Sequence, residues 1–399
     1  MQRQRRLAVV AAALSALAIM SACTASPAGE DRPGASTRTQ VPAAANCDDW
    51  SSVPVGSPYV AFAHCVAAKM KKGITGPLPT SAPRPAPGKK VWIISFLESD
   101  PGGHLLSEGA KEAVTAAGWT PTVFDGAGDP SKWQAGIRQA RSARADAVII
   151  IAFDCAPVKG ALQEVKAAGI KLAGIYAADC PEAPLLDTTV TYAGLDGKPL
   201  DYATWAKTIG LAKGWLIVDA TDGKADTLVF HIKDLAAPKA ATDLFLQDNK
   251  KCQECVVHEI PLSLSDLGPG VTAKAQAALL QNPQANSIFI PFDGVGLSVA
   301  PAVMESGRKD SLFVVGNEGN QPSLDLIRKD RGQTASMGIP HAWSGWAAVD
   351  GLIRLYAGQK QVPSGMGLYA VDTANVPPKG SFEAPVDFRA NYRKIWGGQ

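Results

Sequence analysis

Acidic and amide side chains recur at one kind of place in this chain, directly after short apolar runs. "VWIISFL" leads into Glu98, Ser99 and Asp100, "TPTVFDG" carries Asp125, "DAVIIIAF" runs into Asp154, and "KLAGIYA" precedes Asp179. Further along, the equivalent positions hold Lys233 and Asp234, then Asp293, then Asn317 and Glu318, then His341. Phe153, Phe292 and Trp343 stand beside them. Carboxylates and amides accept hydroxyl hydrogen bonds, and an aromatic face covers the apolar side of a ring, so this set suits a polyhydroxylated ligand. An Asp after a strand also serves as N-cap of the next helix, so the recurrence, not any one residue, argues for a site.

Signals for bond-making chemistry are missing from the sequence. It contains no G-x-S-x-G elbow, H-E-x-x-H pair or Walker sequence. "SDPGGH" offers one adjacent glycine pair rather than G-x-G-x-x-G, and the five histidines are scattered. The expectation is a binding protein, not an enzyme, with no cofactor and no metal. A net charge of +2 gives no electrostatic case for nucleic acid.

The elements that must position these groups follow from periodicity. From Lys89 onward, apolar runs of strand length alternate with helix-period segments, the pattern of parallel sheets covered by helices on both faces. Five candidate strands span 91–97, 120–126, 146–153, 171–177 and 188–194; five more span 227–233, 256–262, 286–292, 312–317 and 334–340. Two such series in roughly 310 residues exceed one core and predict two similar α/β lobes. Asp129 before Pro130 caps one helix, and "VTAAGW" and "VKAAGI" end others in glycine. In an open parallel sheet, ligands collect at the carboxyl ends of the strands, which is where the polar groups stand.

The amino-terminal region reads as an export signal. Arg3, Arg5 and Arg6 precede an apolar run from Leu7 to Met20 that exits through Ser21 and Ala22. "MSAC" resembles a bacterial lipobox, which predicts lipidation of Cys23 and an anchor on the outer face of the cell membrane. The segment 23–45, rich in Ala, Pro, Ser, Thr and Gly, reads as a disordered tether. Six cysteines remain, and an even number in an exported chain predicts disulfides. Six cysteines permit fifteen pairings; the spacing favours Cys47 with Cys65, Cys155 with Cys180, and Cys252 with Cys255. Residues 46–88 are expected to form a stapled extension of their own followed by the proline-rich linker "GPLPTSAPRPAPGKK".

From about residue 89 to the end, the chain resembles the type I periplasmic sugar-binding proteins of the ribose and galactose kind, the extracytoplasmic receptors of ABC importers. "SDPGGHLLSEGAKEAVTAAGW", "DAVIIIAFDCAPVKGALQEVKAAGIKLAGI", "SIFIPFDGVGLSVAPAVMESGR", "FVVGNEG" and "ASMGIPHAWSGWAAVDGLIRLYAG" carry it, in family order and spacing. The resemblance implies two lobes, 89–195 plus 341–367 and 196–340 plus 368–399. Crossings are expected near Leu195–Pro199, Ile339–His341 and Gly367–Val371, with hinge closure over a sugar or polyol. It places ligand contacts at Asp100, Asp154, Phe292, Asp293 and Glu318, with Lys239 near the family's ligand-clamping Arg; His104, Phe153, His341 and Trp343 are expected at the same site from their places at or beside the strand ends. Gly102 and Gly103 stand where the family usually has aromatic residues, and Ile339 replaces a glutamine; Trp343 and Trp205 are candidate replacement faces. The implied partners are an ABC permease and its ATPase, with the receptor a monomer. The alternatives are a sensor presenting to a membrane histidine kinase and a receptor for a cyclic or aromatic compound.

Overall fold

The computed structural model describes residues 47–398; Cys23, the signal segment 1–22 and the tether 23–45 lie outside the described residues. The chain opens with α1 (Ser57–Lys72). There follow β1 (Lys90–Ser95), α2 (Pro101–Ala116), β2 (Thr120–Asp125), α3 (Pro130–Ser142), β3 (Ala147–Ile151), α4 (Lys159–Ala167), β4 (Lys171–Ile175) and the short β5 (Thr188–Thr189). A small hairpin, β6 (Tyr192–Ala193) and β7 (Pro199–Leu200), leads into α5 (Tyr202–Ala220). The second series runs β8 (Asp226–Ile232), α6 (Ala236–Asp248), β9 (Val256–Leu262), α7 (Pro269–Gln281), β10 (Ser287–Phe289), α8 (Asp293–Glu305), β11 (Phe313–Glu318), α9 (Gln321–Arg328) and β12 (Ala335–Gly338). The chain closes with α10 (His341–Tyr356), β13 (Tyr369–Asp372) and α11 (Phe388–Ile395).

All ten strands expected from the apolar runs are present. They build two sheets, ordered β2-β1-β3-β4-β5 and β13-β12-β11-β10-β8-β9, parallel throughout except for β13 against β12. β3 is buried along its whole length, as "AVIII" requires of a strand covered on both faces. The one core strand that periodicity did not reveal is β13: four residues are too few to show a period, and only the open edge of β12 holds them.

Helix starts follow side-chain chemistry. Asp100 caps α2 by accepting from the Gly103 N–H at 2.8 Å, and Asp129 caps α3 by accepting from the Ser131 N–H at 2.8 Å, each with proline in the first turn. α10 lies closely on α2 because small residues line both; a methyl on Gly345 would stand 2.3 Å from the backbone nitrogen of Ala110.

Two expectations about organisation need correction. The described part of the 46–88 extension, from Cys47 on, is not a separate module. α1 packs on α5 and β13: the Phe62 ring meets Trp215 edge-on at 5.3 Å, and the Tyr59 hydroxyl donates to Asp248 at 2.8 Å. The following strand segment exchanges backbone hydrogen bonds between Ile74 and Leu368 at 2.9 Å, and the Gly76 N–H donates to Gly365. The apolar face of α1 buries Phe62, Val66 and Met70, so the helix needs this surface and cannot stand free. Nor does the whole of 368–399 lie with the second sheet. α11 packs on α10, with Trp343 stacked on Phe388 and Arg389 paired with Glu112 of α2 at 2.9 Å, because its aromatic residues find their partners on that side.

The chain passes between sheets through 190–201, returns through Ile339 and Pro340, and passes again through 357–368. Three disulfides join Cys47 to Cys65, Cys155 to Cys180 and Cys252 to Cys255, the local pairing that the spacing favours.

Candidate functional site

In the first sheet the strand order reverses between β1 and β3, and such a switch point opens a crevice at the carboxyl ends. Asp100 follows β1 and Asp154 follows β3, so the two carboxylates flank that crevice. The Asp154 carboxylate accepts from the Ala178 N–H at 2.8 Å, tying the loops after β3 and β4 together beside the Cys155–Cys180 disulfide. Tyr176 follows β4 with φ 48°, a left-handed backbone that is costly for an aromatic residue.

The second sheet brings Glu318 to meet them. It ends β11 with φ 97°, also in the strained region. A methyl group placed on Gly102 would stand 3.1 Å from Glu318 Oε2 and 3.2 Å from Asp100 Oδ2; one on Gly294, at the start of α8, would stand 3.6 Å from Asp100 Oδ1. Carboxylates from the two sheets thus converge on one point over Gly102. The glycine pair has a steric reason, since a side chain at Gly102 meets both acids and one at Gly103 meets the Leu97 carbonyl at 2.5 Å. An aromatic residue at Gly102 and this placement of Glu318 exclude each other.

Aromatic rings close the hinge side. Tyr176 stacks on Tyr192 at 5.4 Å and on Trp205 at 5.6 Å, Tyr192 stacks on Trp205 at 4.4 Å, and Tyr202 meets Tyr176 edge-on at 5.5 Å. The His341 ring stands edge-on to Tyr176 at 6.2 Å. His341 is 5% exposed, and neither ring nitrogen has a hydrogen-bond partner. Ser344 of the same helix donates to the Tyr176 hydroxyl at 3.1 Å.

Electrostatics follow from burial. Desolvation pushes Asp100 and Asp154 above the usual carboxylate range, against the pull of backbone N–H groups from Gly103 and Ala178. Glu318 is pushed well above its usual value by burial first, then by the charges of Asp100 and Asp293. Burial alone lowers His341 to about 4, so its ring is neutral. Lys213 lies fully inside beneath the site. Its Nζ donates to the carbonyls of Ile290 at 2.7 Å and Pro291 at 3.3 Å and sits 4.0 Å from the centre of the Phe289 ring. Burial lowers it to about 7, with Asp293 and Glu318 opposing.

The structure separates the residues expected at the site. Asp100, Asp154, Glu318 and His341 share this neighbourhood, and Phe292 borders it, its ring lying 3.2 Å from a methyl placed on Gly294. Asp293 lies beneath, fully buried, its carboxylate accepting from the backbone N–H groups of Asn317 and Asn320 at 3.2 and 3.0 Å; it holds the loop that carries Glu318. His104 is on the lip, half-exposed and paired with Glu98 at 2.9 Å. Three expectations fail. Phe153 turns into the first lobe's core and stacks on Trp133 at 4.6 Å, because it points to the opposite face of the strand end from Asp154. Trp343 is wholly buried against Phe388. Lys239 is exposed on α6 and paired one turn along with Asp243 at 2.5 Å.

The same neighbourhood holds Tyr176, Tyr192, Tyr202 and Lys213, which the strand-end reading does not nominate. Tyr176 was detectable, since it follows β4 as Asp154 follows β3. The other three sit on a crossing segment or inside a helix, where no local signal exists. Among the described residues, Cys155, Asp179 and Cys180 are the one group spaced to hold a metal, but both sulfurs are in the disulfide. The Asp179 carboxylate also accepts from the N–H groups of Cys180, Leu185 and Leu186 at 2.7, 2.8 and 3.1 Å. That chemistry is structural.

No protein-family model matches the chain, and no curated protein matches it in sequence. Solved structures do. A sugar ABC transporter protein from Yersinia enterocolitica subsp. enterocolitica 8081 superposes with a TM-score of 0.63 at 17% identity, over 80% of this chain and 99% of that one. An ABC transporter solute-binding protein from Agrobacterium vitis with bound allitol superposes with a TM-score of 0.61 at 17% identity, over 72% and 97%. A periplasmic solute-binding protein from Actinobacillus succinogenes 130z with bound D-allose does so at 0.61 and 15%, over 72% and 98%. At these identities the likeness establishes the fold: two lobes of parallel sheet flanked by helices, as in the type I periplasmic sugar-binding proteins.

Proposed function

We propose that this protein is an extracytoplasmic solute-binding receptor of an ABC importer, holding a small polyhydroxylated solute between its two sheets. The observation that carries this reading is the meeting of Asp100 and Glu318, one from each sheet, over Gly102. Groups contributed by both lobes bind best when the lobes approach, so ligand binding and closure are linked. Residues 190–201, Ile339–Pro340 and 357–368 serve as the hinge, with the extension around Ile74 and Gly76 laid along the last of them. The carboxyl groups and His341 hydrogen-bond to ligand hydroxyls, and Tyr202 covers a C–H face. No bond is made or broken; the closed form is what a permease and its ATPase recognise, and lipidated Cys23 tethers the receptor to the outer face of the membrane. The allitol and D-allose bound in the two solved structures support the ligand class.

A thermal-shift and calorimetric screen over sugars and polyols, starting with allitol and D-allose, tests this. A cleft ligand at a hundred times its Kd stabilises the fold by about 2.7 kcal/mol. Asp154→Ala and Glu318→Ala should each weaken the best hit, and the hit should be recovered chemically unchanged. Unaltered affinity in both variants would place the ligand elsewhere.

A further inference from the structure

We infer that the cleft selects a ligand bearing a protonated amine, an amino sugar or amino polyol, with the ammonium group held between Asp100 and Glu318. The inference rests on the receptor reading above and narrows its ligand class.

Charge balance in the cleft carries it. The acids facing it are Asp100, Asp154 and Glu318. Asp100 and Glu318 stand together over Gly102, and the Tyr202 hydroxyl feels both Asp154 and Glu318. The charge of Lys213 pulls Glu318 back down, but its Nζ is committed to the carbonyls of Ile290 and Pro291. Lys239, expected to clamp ligand from the second lobe, is on the surface with Asp243. Without a cation, Asp100 and Glu318 are held above their usual range by burial and, for Glu318, by the charge of Asp100. An ammonium group between them favours the ionised forms and donates to both carboxylates, which a neutral hydroxyl does not do.

Three further observations point to a ligand rather than to a structural cluster. Glu318 Oε2 is buried without a hydrogen-bond partner, although the same loop supplies N–H groups to Asp293 next door. His341 is nine-tenths buried with both ring nitrogens unpartnered, beside Tyr176, whose hydroxyl also feels the Glu318 charge. Tyr202, partly buried and within reach of the Asp154 and Glu318 charges, brings an electron-rich ring to the same place, and such a ring favours cations over neutral groups.

Calorimetry with matched pairs decides it: D-glucosamine against D-glucose, and N-methylglucamine against D-sorbitol, at neutral pH on the full chain. In at least one pair the amine should bind roughly tenfold to a hundredfold tighter than its neutral twin. Glu318→Gln and, separately, Asp100→Asn should collapse that ratio toward one, with unchanged circular dichroism showing that each variant folds. Tighter binding of the neutral member overturns the inference, as does an amine preference that survives both variants, or no binding of any amine. Neutral polyols that bind with sensitivity to Asp154→Ala would leave the receptor reading standing while removing this one.

Discussion

The two lobes solve one problem by different means. Each has a loop at the carboxyl end of its sheet that carries a candidate ligand acid, and each uses a second acid to fix the backbone of that rim. In the first lobe, Asp179 takes three backbone N–H groups, and the Cys155–Cys180 disulfide bonds the loop carrying Asp154 to its neighbour. In the second, Asp293 takes the N–H groups of Asn317 and Asn320, with Lys213 beneath, and no covalent tie supports Glu318. A covalent restraint resists changes of charge; an electrostatic one does not. The first rim is therefore sensitive to loss of its disulfide and the second to loss of one buried carboxylate.

The largest effect should come from Asp293→Ala. It removes the acceptor of two buried backbone donors and the countercharge of Lys213, so urea denaturation should show a loss of about 3–5 kcal/mol. A loss below about 1 kcal/mol would mean that the second loop does not depend on this carboxylate. Replacing Cys155 and Cys180 together by serine should cost about 3 kcal/mol by the same measurement while leaving the second sheet's amide protection intact.

A titration sharpens the comparison next. His341 falls from 6.5 to about 4 on folding, so the folded state disfavours its proton, and the stability present above pH 6.5 is lost as pH falls toward 4. Asp100, Asp154 and Glu318 are raised and act in the opposite sense, gaining stability as pH falls through their folded values. His341→Asn isolates the first effect. Relative to the parent, it should be spared roughly 1.4 kcal/mol for each pH unit in that window, read from urea midpoints at pH 7 and pH 4.5. Parallel pH profiles would show that the ring is not held neutral.

Smaller effects divide core from cleft. Phe153→Leu should cost about 1 kcal/mol in stability and leave ligand affinity unchanged, because the ring packs on Trp133. Glu318→Gln should leave stability unchanged, or raise it by less than about 1 kcal/mol, by removing a desolvated charge. A large loss there would make Glu318 a structural acid like Asp293.

How much of this was legible beforehand varies by residue. The strand runs, the Asp100 and Asp129 caps and the disulfide pairing are local in sequence, and local chemistry decided them. The site was only half legible. Asp100, Asp154 and Glu318 could be nominated from the sequence because strand-end position is a one-dimensional property. Phe153 and Trp343 were misplaced because facing the core or the cleft depends on what packs against each side, which no spacing records.

The amino-acid sequence by itself determined the parallel α/β architecture, since continuous apolar runs can be satisfied only by strands covered on both faces. It also determined which chain positions carry polar groups to the strand ends. Only the tertiary structure decided what each group does. Asp293 and Glu318 are both acids beside a parallel strand. One is consumed by backbone N–H groups, while the other, on a backbone bent to φ 97°, is aimed past Gly102 toward the opposite lobe. That distinction is a matter of hydrogen-bond accounting between segments far apart in the chain.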